Sequence, residues 1–158
     1  MVTKTEQLRA VYDVHGEKFR FLVVGMWNTL FSYVLFAGML WLLRPVLQPL
    51  SSSEYTLVAW VGEHYYLVVQ WLSWIIAVPQ STLALKYLAF RSKGHWLSEI
   101  GRSFFVYLPL QAFSSVMLWL FSGVLGIPPL LGQLFTIGIS AVLSYLGHKN
   151  FTFKQPAE

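Results

Sequence analysis

Side-chain amides stand where the sequence is otherwise apolar, among them Asn28, Gln80, Gln111 and Gln133, with His148 at the end of the last such stretch. An amide in hydrocarbon has to find a hydrogen-bond partner, on a neighbouring helix or in a polar cavity. A second set is cationic. Arg20, Lys86, Arg102 and Lys149 stand one at an end of each apolar stretch. Their chemistry is charge-assisted hydrogen bonding to an anion. The same residues also anchor helix ends by reaching for the membrane interface. Hydrogen-bond partners along a path, with cations at one rim, suit passage of a polar, anionic cargo.

The same inventory does not suit bond making. The serine-bearing stretches offer no nucleophile paired with a base. His15, His64, His95 and His148 lie in separate segments and make no metal set. Cysteine is absent, which removes disulfides and thiolate chemistry. The expectation is a protein that is not an enzyme and needs no metal or cofactor. Acids are also missing from the apolar stretches. Proton-coupled cation export by a small transporter rests on a membrane-embedded carboxylate, and none is found there.

The elements that must position these groups follow from composition. Of 158 residues, 56% are hydrophobic and 11% charged, with a mean hydropathy of +0.55. A soluble domain carries about 25% charged residues. Residues 103–147 contain no Asp, Glu, Lys or Arg, and a helix needs roughly 20 residues to cross a bilayer core. Gly126, Ile127, Pro128 and Pro129 break this run near its middle, predicting two spans joined by a tight turn. The fold class expected is an all-α integral membrane protein with four transmembrane helices arranged as two repeated hairpins. The spans are read as 21–43, 65–85, 103–126 and 128–147. Residues 1–18 form a charged tail with no secretory-signal pattern, 19–154 the transmembrane domain and 155–158 a C-terminal tail. Residues 45–64 read as a loop holding a short amphipathic piece at 55–60, and Pro79 predicts a kink in the second span.

Ten of the eleven Lys and Arg residues fall in the N-terminal segment, in 86–102 and in the C-terminal segment, leaving Arg44 alone on the other side. Positive residues stay cytoplasmic, so both termini are expected inside, in a multi-pass protein of the cytoplasmic (inner) membrane. The net charge of +4 is a topology signal and not one for nucleic acid. Polar and small residues recur at helical spacing: Gln70, Ser73, Ala77, Gln80 or Ser81 and Ala84 on the second span; Gly132, Thr136, Ser140, Ser144 and His148 on the fourth. Gly25, Asn28 and Ser32 share a face of the first, and Gln111, Ser114 and Ser115 a face of the third. Close helix packing and a lined cavity both explain these stripes. For His148 an interfacial hydrogen bond is the alternative to a place in the cavity.

The halves resemble each other. Glu17, Arg20, Val24, Phe31, Ser32 and Val34 recur 82 positions later, and Ser81, Leu83, Lys86 and Phe90 recur 63 positions later. Transporters often hold cargo between such repeats. The run Arg20-Phe21-Leu22-Val23-Val24-Gly25-Met26-Trp27-Asn28-Thr29 resembles the opening of the GtrA-like family of small membrane proteins. The family's hairpin-ending motif is similar to Leu85–Arg91 and to His148–Lys154, with Leu85 and His148 standing where the motif has Asn. The resemblance covers about residues 19–154. It implies flipping of an undecaprenyl- or other polyprenyl-phosphate-linked sugar across the membrane for cell-surface glycosylation, beside a membrane glycosyltransferase. In that setting Arg20, Lys86, Arg102 and Lys149 are the candidates for the lipid phosphate. Asn28, Gln80, Gln111, Gln133 and His148 are the candidates for the polar cavity. A scaffold for the glycosyltransferase and a small multidrug-type transporter are the alternatives. Four helices give little room for a complete pathway, so a homodimer among membrane lipid is expected.

Overall fold

A computed structural model describes the backbone of residues 4–90 and 95–147, with side chains at 20, 22–88 and 95–140. Among the described residues every regular element is helical. In hydrocarbon this is forced, because a helix satisfies its own backbone donors and acceptors. Helix α1 runs Lys4–Leu47, α2 Thr56–Glu63, α3 Tyr65–Ala84, α4 Trp96–Leu118 and α5 Pro129–Gly147. Both α3 and α4 continue as one wider π-helical turn, Leu85–Phe90 and Trp119–Val124. Three helical stretches are long and apolar enough to cross a membrane: Leu22–Ser52, Tyr65–Leu88 and Trp96–Val124. In α5 the apolar run among the described side chains is Pro129–Ser140, within a helix that continues to Gly147.

Several boundaries differ from the sequence reading. The tail 1–18 does not stand apart from the first span. From Lys4 onward it is one helix with it, 44 residues and about 66 Å long. The loop at 45–64 is largely helical too: a 3₁₀ turn at Gln48–Ser52 leads through an extended Ser53 into α2. The third helix begins at Trp96, seven residues before the expected 103, so Glu99 sits in the first turn of an apolar helix. Pro79 stands inside α3, as the sequence places it, where its missing N–H frees one carbonyl four residues earlier. The break at 126–129 is where the sequence puts it. Gly126 takes φ = 67°, a left-handed value that glycine reaches without steric cost. Pro129 then opens α5 at the position where a helix has no use for a proline N–H.

The helices α1, α3, α4 and α5 run up and down against one another. Asn28, midway along α1, meets Ser81 near the C-terminal end of α3, while Phe36 and Leu40 pack with Tyr66 and Val69 towards the start of α3. Trp74 stacks edge-on with Phe104, and Gln70 bonds Ser114 further along α4. On α4 and α5, Phe121 faces Phe135. The apolar core is Phe36, Leu40, Tyr66, Val69 and Leu118, at the end of the bundle nearest α2. The outer faces are apolar as well: Trp41 is 82% and Phe105 80% exposed. Apolar exteriors of this extent belong against lipid, and the chain is a membrane protein.

The α2 segment is held by close backbone approach. A Cβ on Gly62 would overlap the backbone of Leu50 and Ser51 in the 3₁₀ turn, whereas one on Gly38 meets nothing. Gly62→Ala should therefore lower the thermal unfolding midpoint in detergent, with an overpacking cost of about 1–3 kcal/mol. Gly38→Ala should leave it unchanged or raise it, since alanine favours the helix.

Candidate functional site

Towards the opposite end from the apolar core, the four long helices part around an open cleft of about 430 Å³. Each helix supplies wall residues: Asn28 and Ser32 from α1, Trp74 and Ser81 from α3, Tyr107 and Gln111 from α4, Gln133 and Thr136 from α5. A smaller space of about 70 Å³ shares Trp74, Gln111 and Gln133 with it and is lined also by Gln70 and Ser73. Helical spacing explains why these side chains converge. Residues 74, 77, 78 and 81 share one stripe of α3, and 107, 110, 111 and 114 one stripe of α4.

One amide is locked where helices cross. Gln70 Nε2 donates to Ser114 Oγ at 2.9 Å and to Gln133 Oε1 at 3.2 Å, and Gln70 Oε1 accepts from Ser115 Oγ at 3.0 Å. This network joins α3, α4 and α5 at the level where the cleft meets the apolar core. Lower down, Asn28 Nδ2 donates to Ser81 Oγ at 2.9 Å, tying α1 to α3. The hydroxyls of Ser32, Ser73, Thr82 and Thr136 each donate to the carbonyl four residues earlier, so none of these four is left bare in the apolar interior. Other polar atoms have no partner among the described residues: Asn28 Oδ1, Gln80 Oε1, Gln111 Nε2 and Arg20 Nε, and towards the α2 end the Tyr66 and Ser122 hydroxyls, are buried without a hydrogen bond.

The predicted residues therefore separate. Asn28, Gln111 and Gln133 line the cleft. Gln80, one position before the cleft-lining Ser81, lies in neither space. Of the cationic set, Lys86 is buried, 6% exposed, and its Nζ lies 2.7 Å from Glu99 Oε2. It is not a solvated rim residue. The ion pair joins the π-helical turn after α3 to the first turn of α4. Arg20 is half-buried and Arg102 exposed. Lys149 and His148 lie outside the described residues. The residues missing from the sequence-based site set are Gln70, Trp74, Tyr107 and Glu99. Gln70 carried a signal, since it heads the polar stripe of α3. The aromatics carried none, because an aromatic in an apolar helix faces lipid or neighbour with the same residue code.

Gln70→Leu would strip Gln133 Oε1 and Ser114 Oγ of their shared donor. Unsatisfied buried polar groups cost about 1–3 kcal/mol, so this variant should unfold at lower temperature in detergent. Gln111→Met, which deletes an amide that is already unpaired, should hold or raise the midpoint.

An apolar helical bundle opened by a polar cleft, with a buried cation paired below it, agrees with what the comparisons find. Residues 20–153 match the GtrA/DPMS transmembrane domain. No curated protein and no solved structure matches the chain. The match takes in all of the cleft and both residues of the ion pair, and on that extent the chain belongs to the GtrA/DPMS transmembrane family.

Proposed function

We propose that this protein carries a polyprenyl-phosphate-linked sugar from one leaflet of the cytoplasmic membrane to the other, with undecaprenyl phosphate as the carrier lipid. It would supply cell-surface glycosylation beside a membrane glycosyltransferase. Family membership supports a role in polyprenyl-phosphate-sugar processes of the membrane. The observation that carries the finer reading is the cleft itself: a space of about 430 Å³ with amides from three helices, inside an otherwise apolar bundle. In this reading α5 is the fourth span, both termini are cytoplasmic and the working unit is a homodimer.

Carrying such a lipid breaks no covalent bond, and the protein acts as a carrier, not an enzyme. The physical task is to replace the water lost by sugar hydroxyls and phosphate. Hydroxyls take their partners in the cleft. The phosphate takes Lys86, helped by Arg20, with the prenyl tail left in the lipid. Lys86 holds Glu99 at 2.7 Å, so capture is an exchange of one anion for another, which keeps the ammonium compensated throughout. The cleft opens in the half of the bundle that holds Lys86 and is closed beyond Gln70 by Phe36, Val69 and Leu118. With the termini inside, that is an inward-open arrangement. Passage then requires the apolar end to part while the Lys86 end closes.

The locked Gln70 network favours one competing reading, a scaffold for the glycosyltransferase in which polar groups serve only to fasten helices. A multidrug-type exporter has less support, because no acid is among the described residues that line the cleft.

Vesicles with reconstituted protein and fluorescent short-chain polyprenyl-phosphate glucose decide between carrier and scaffold. Protein-dependent loss of inner-leaflet label is expected; co-purification with a glycosyltransferase without such loss supports the scaffold. The pair Lys86→Gln with Glu99→Gln removes both charges and leaves no buried ion alone. Its transport rate should fall at least tenfold with insertion unchanged, and an unchanged rate removes Lys86 from phosphate capture.

A further inference from the structure

Gln111 is 7% exposed, lines both the cleft and the smaller space beside it, and its Nε2 has no partner among the described residues. Its neighbours Ser114 and Ser115 are engaged with Gln70. Turning the Gln111 amide into the cleft therefore breaks no hydrogen bond. Across the cleft, Asn28 is held through Nδ2 by Ser81, while its Oδ1 is a buried acceptor without a donor. An idle donor and an idle acceptor thus belong to residues of one cleft. A hydroxyl group, which both donates and accepts, is the neutral group that matches both.

Charge narrows the ligand further. Among the described residues lining the cleft there is no Asp, Glu, Lys, Arg or His. A carboxylate placed there would meet Asn28 Oδ1 with no cation to compensate it, and an ammonium would meet no acid. Burying an ion without a partner is far more costly than burying a hydrogen-bonded hydroxyl. The Lys86 ammonium lies outside this lining and is paired with Glu99.

Shape agrees. The volume of about 430 Å³ lies near the lower end of small-molecule sites, about 300–1,000 Å³. Trp74 presents a flat apolar wall and is braced edge-on by Trp71 at 5.4 Å and Phe104 at 5.1 Å. That wall suits the C–H face of a single sugar ring.

Resting on the carrier reading above, we infer that Gln111, with Asn28, selects one uncharged sugar ring as the headgroup and excludes rings bearing a carboxylate or an ammonium. The test is binding, read by native mass spectrometry of the full chain in detergent. The probes are short-chain polyprenyl phosphate, bare or linked to glucose, to glucuronate or to glucosamine. The glucose lipid should bind at least tenfold more tightly than the other three, and Gln111→Met, checked as folded by its thermal midpoint, should lose that preference. Equal binding of glucose and glucuronate lipids overturns the inference, and so does a Gln111→Met protein that keeps the preference. The comparison among lipids on the unaltered protein stands even if the variant does not fold. Leaflet exchange is scored separately: selective binding without exchange removes the carrier reading and leaves the selectivity in place.

Discussion

Gln70 sits at the one level of the bundle where three helices must agree. Its donor and acceptor are both used, by Ser114 and Ser115 of α4 and by Gln133 of α5. In an apolar surrounding such bonds have no water to compete with them, and an amide that lost its partners would be left bare. The crossing therefore has a narrow choice of geometries. Everything below it inherits that geometry, because residues 74, 77, 78 and 81 follow 70 along the same stripe of α3. The cleft is the space left when helices held at one level diverge.

The molecule is thus graded along its length. At the α2 end, Phe36, Leu40, Tyr66, Val69 and Leu118 form an apolar cluster, with the Tyr66 hydroxyl buried and without a partner among the described residues. At the middle, amides and serines satisfy one another. Beyond it the cleft opens, and Asn28 Oδ1 and Gln111 Nε2, of residues that line it, lack partners among the described residues. Past the cleft comes an ion pair, Lys86 with Glu99. Unsatisfied polar atoms are costly in a structure whose only task is to hold itself together. Two of the residues that carry them, Asn28 and Gln111, line the same cleft, while Gln70 just above is bonded through both ends, and that contrast favours a binding role for these two amides.

The π-helical turns give the same grading a mechanical side. One follows α3 and carries Lys86; the other follows α4 and precedes the Gly126 turn. Wider turns of this kind often mark functional sites in helices. Here the first sets Lys86 against the opening turn of α4, where Glu99 lies. The second leads to the tight return into α5, where Gly123 meets the Tyr66 hydroxyl and Gly132 meets Ser122 with no room for a Cβ. Both ends of the bundle are therefore held by close local contacts, while the cleft between them is not.

Sequence alone determined the helical class, the membrane setting and the break at 126–129, because each depends on local chemistry: hydropathy summed over a span, and the backbone preferences of glycine and proline. It also picked out Asn28, Gln111 and Gln133, since an amide in an apolar run has few uses. Family membership was legible for the same reason, in the run from Arg20 to Thr29. Only the tertiary structure decided which polar residues are spent on packing and which face open space. Gln70 and Gln111 are the same residue type in similar surroundings, yet one is fully bonded and the other idle, because rotation and crossing of helices set the neighbours of each. Lys86 shows the same limit. Its charge was plain, but its burial against Glu99 arises only when α3 runs on through a wider turn and α4 starts seven residues earlier than the hydropathy boundary. Partners distant in sequence are chosen by the geometry of packing, and no local pattern encodes them.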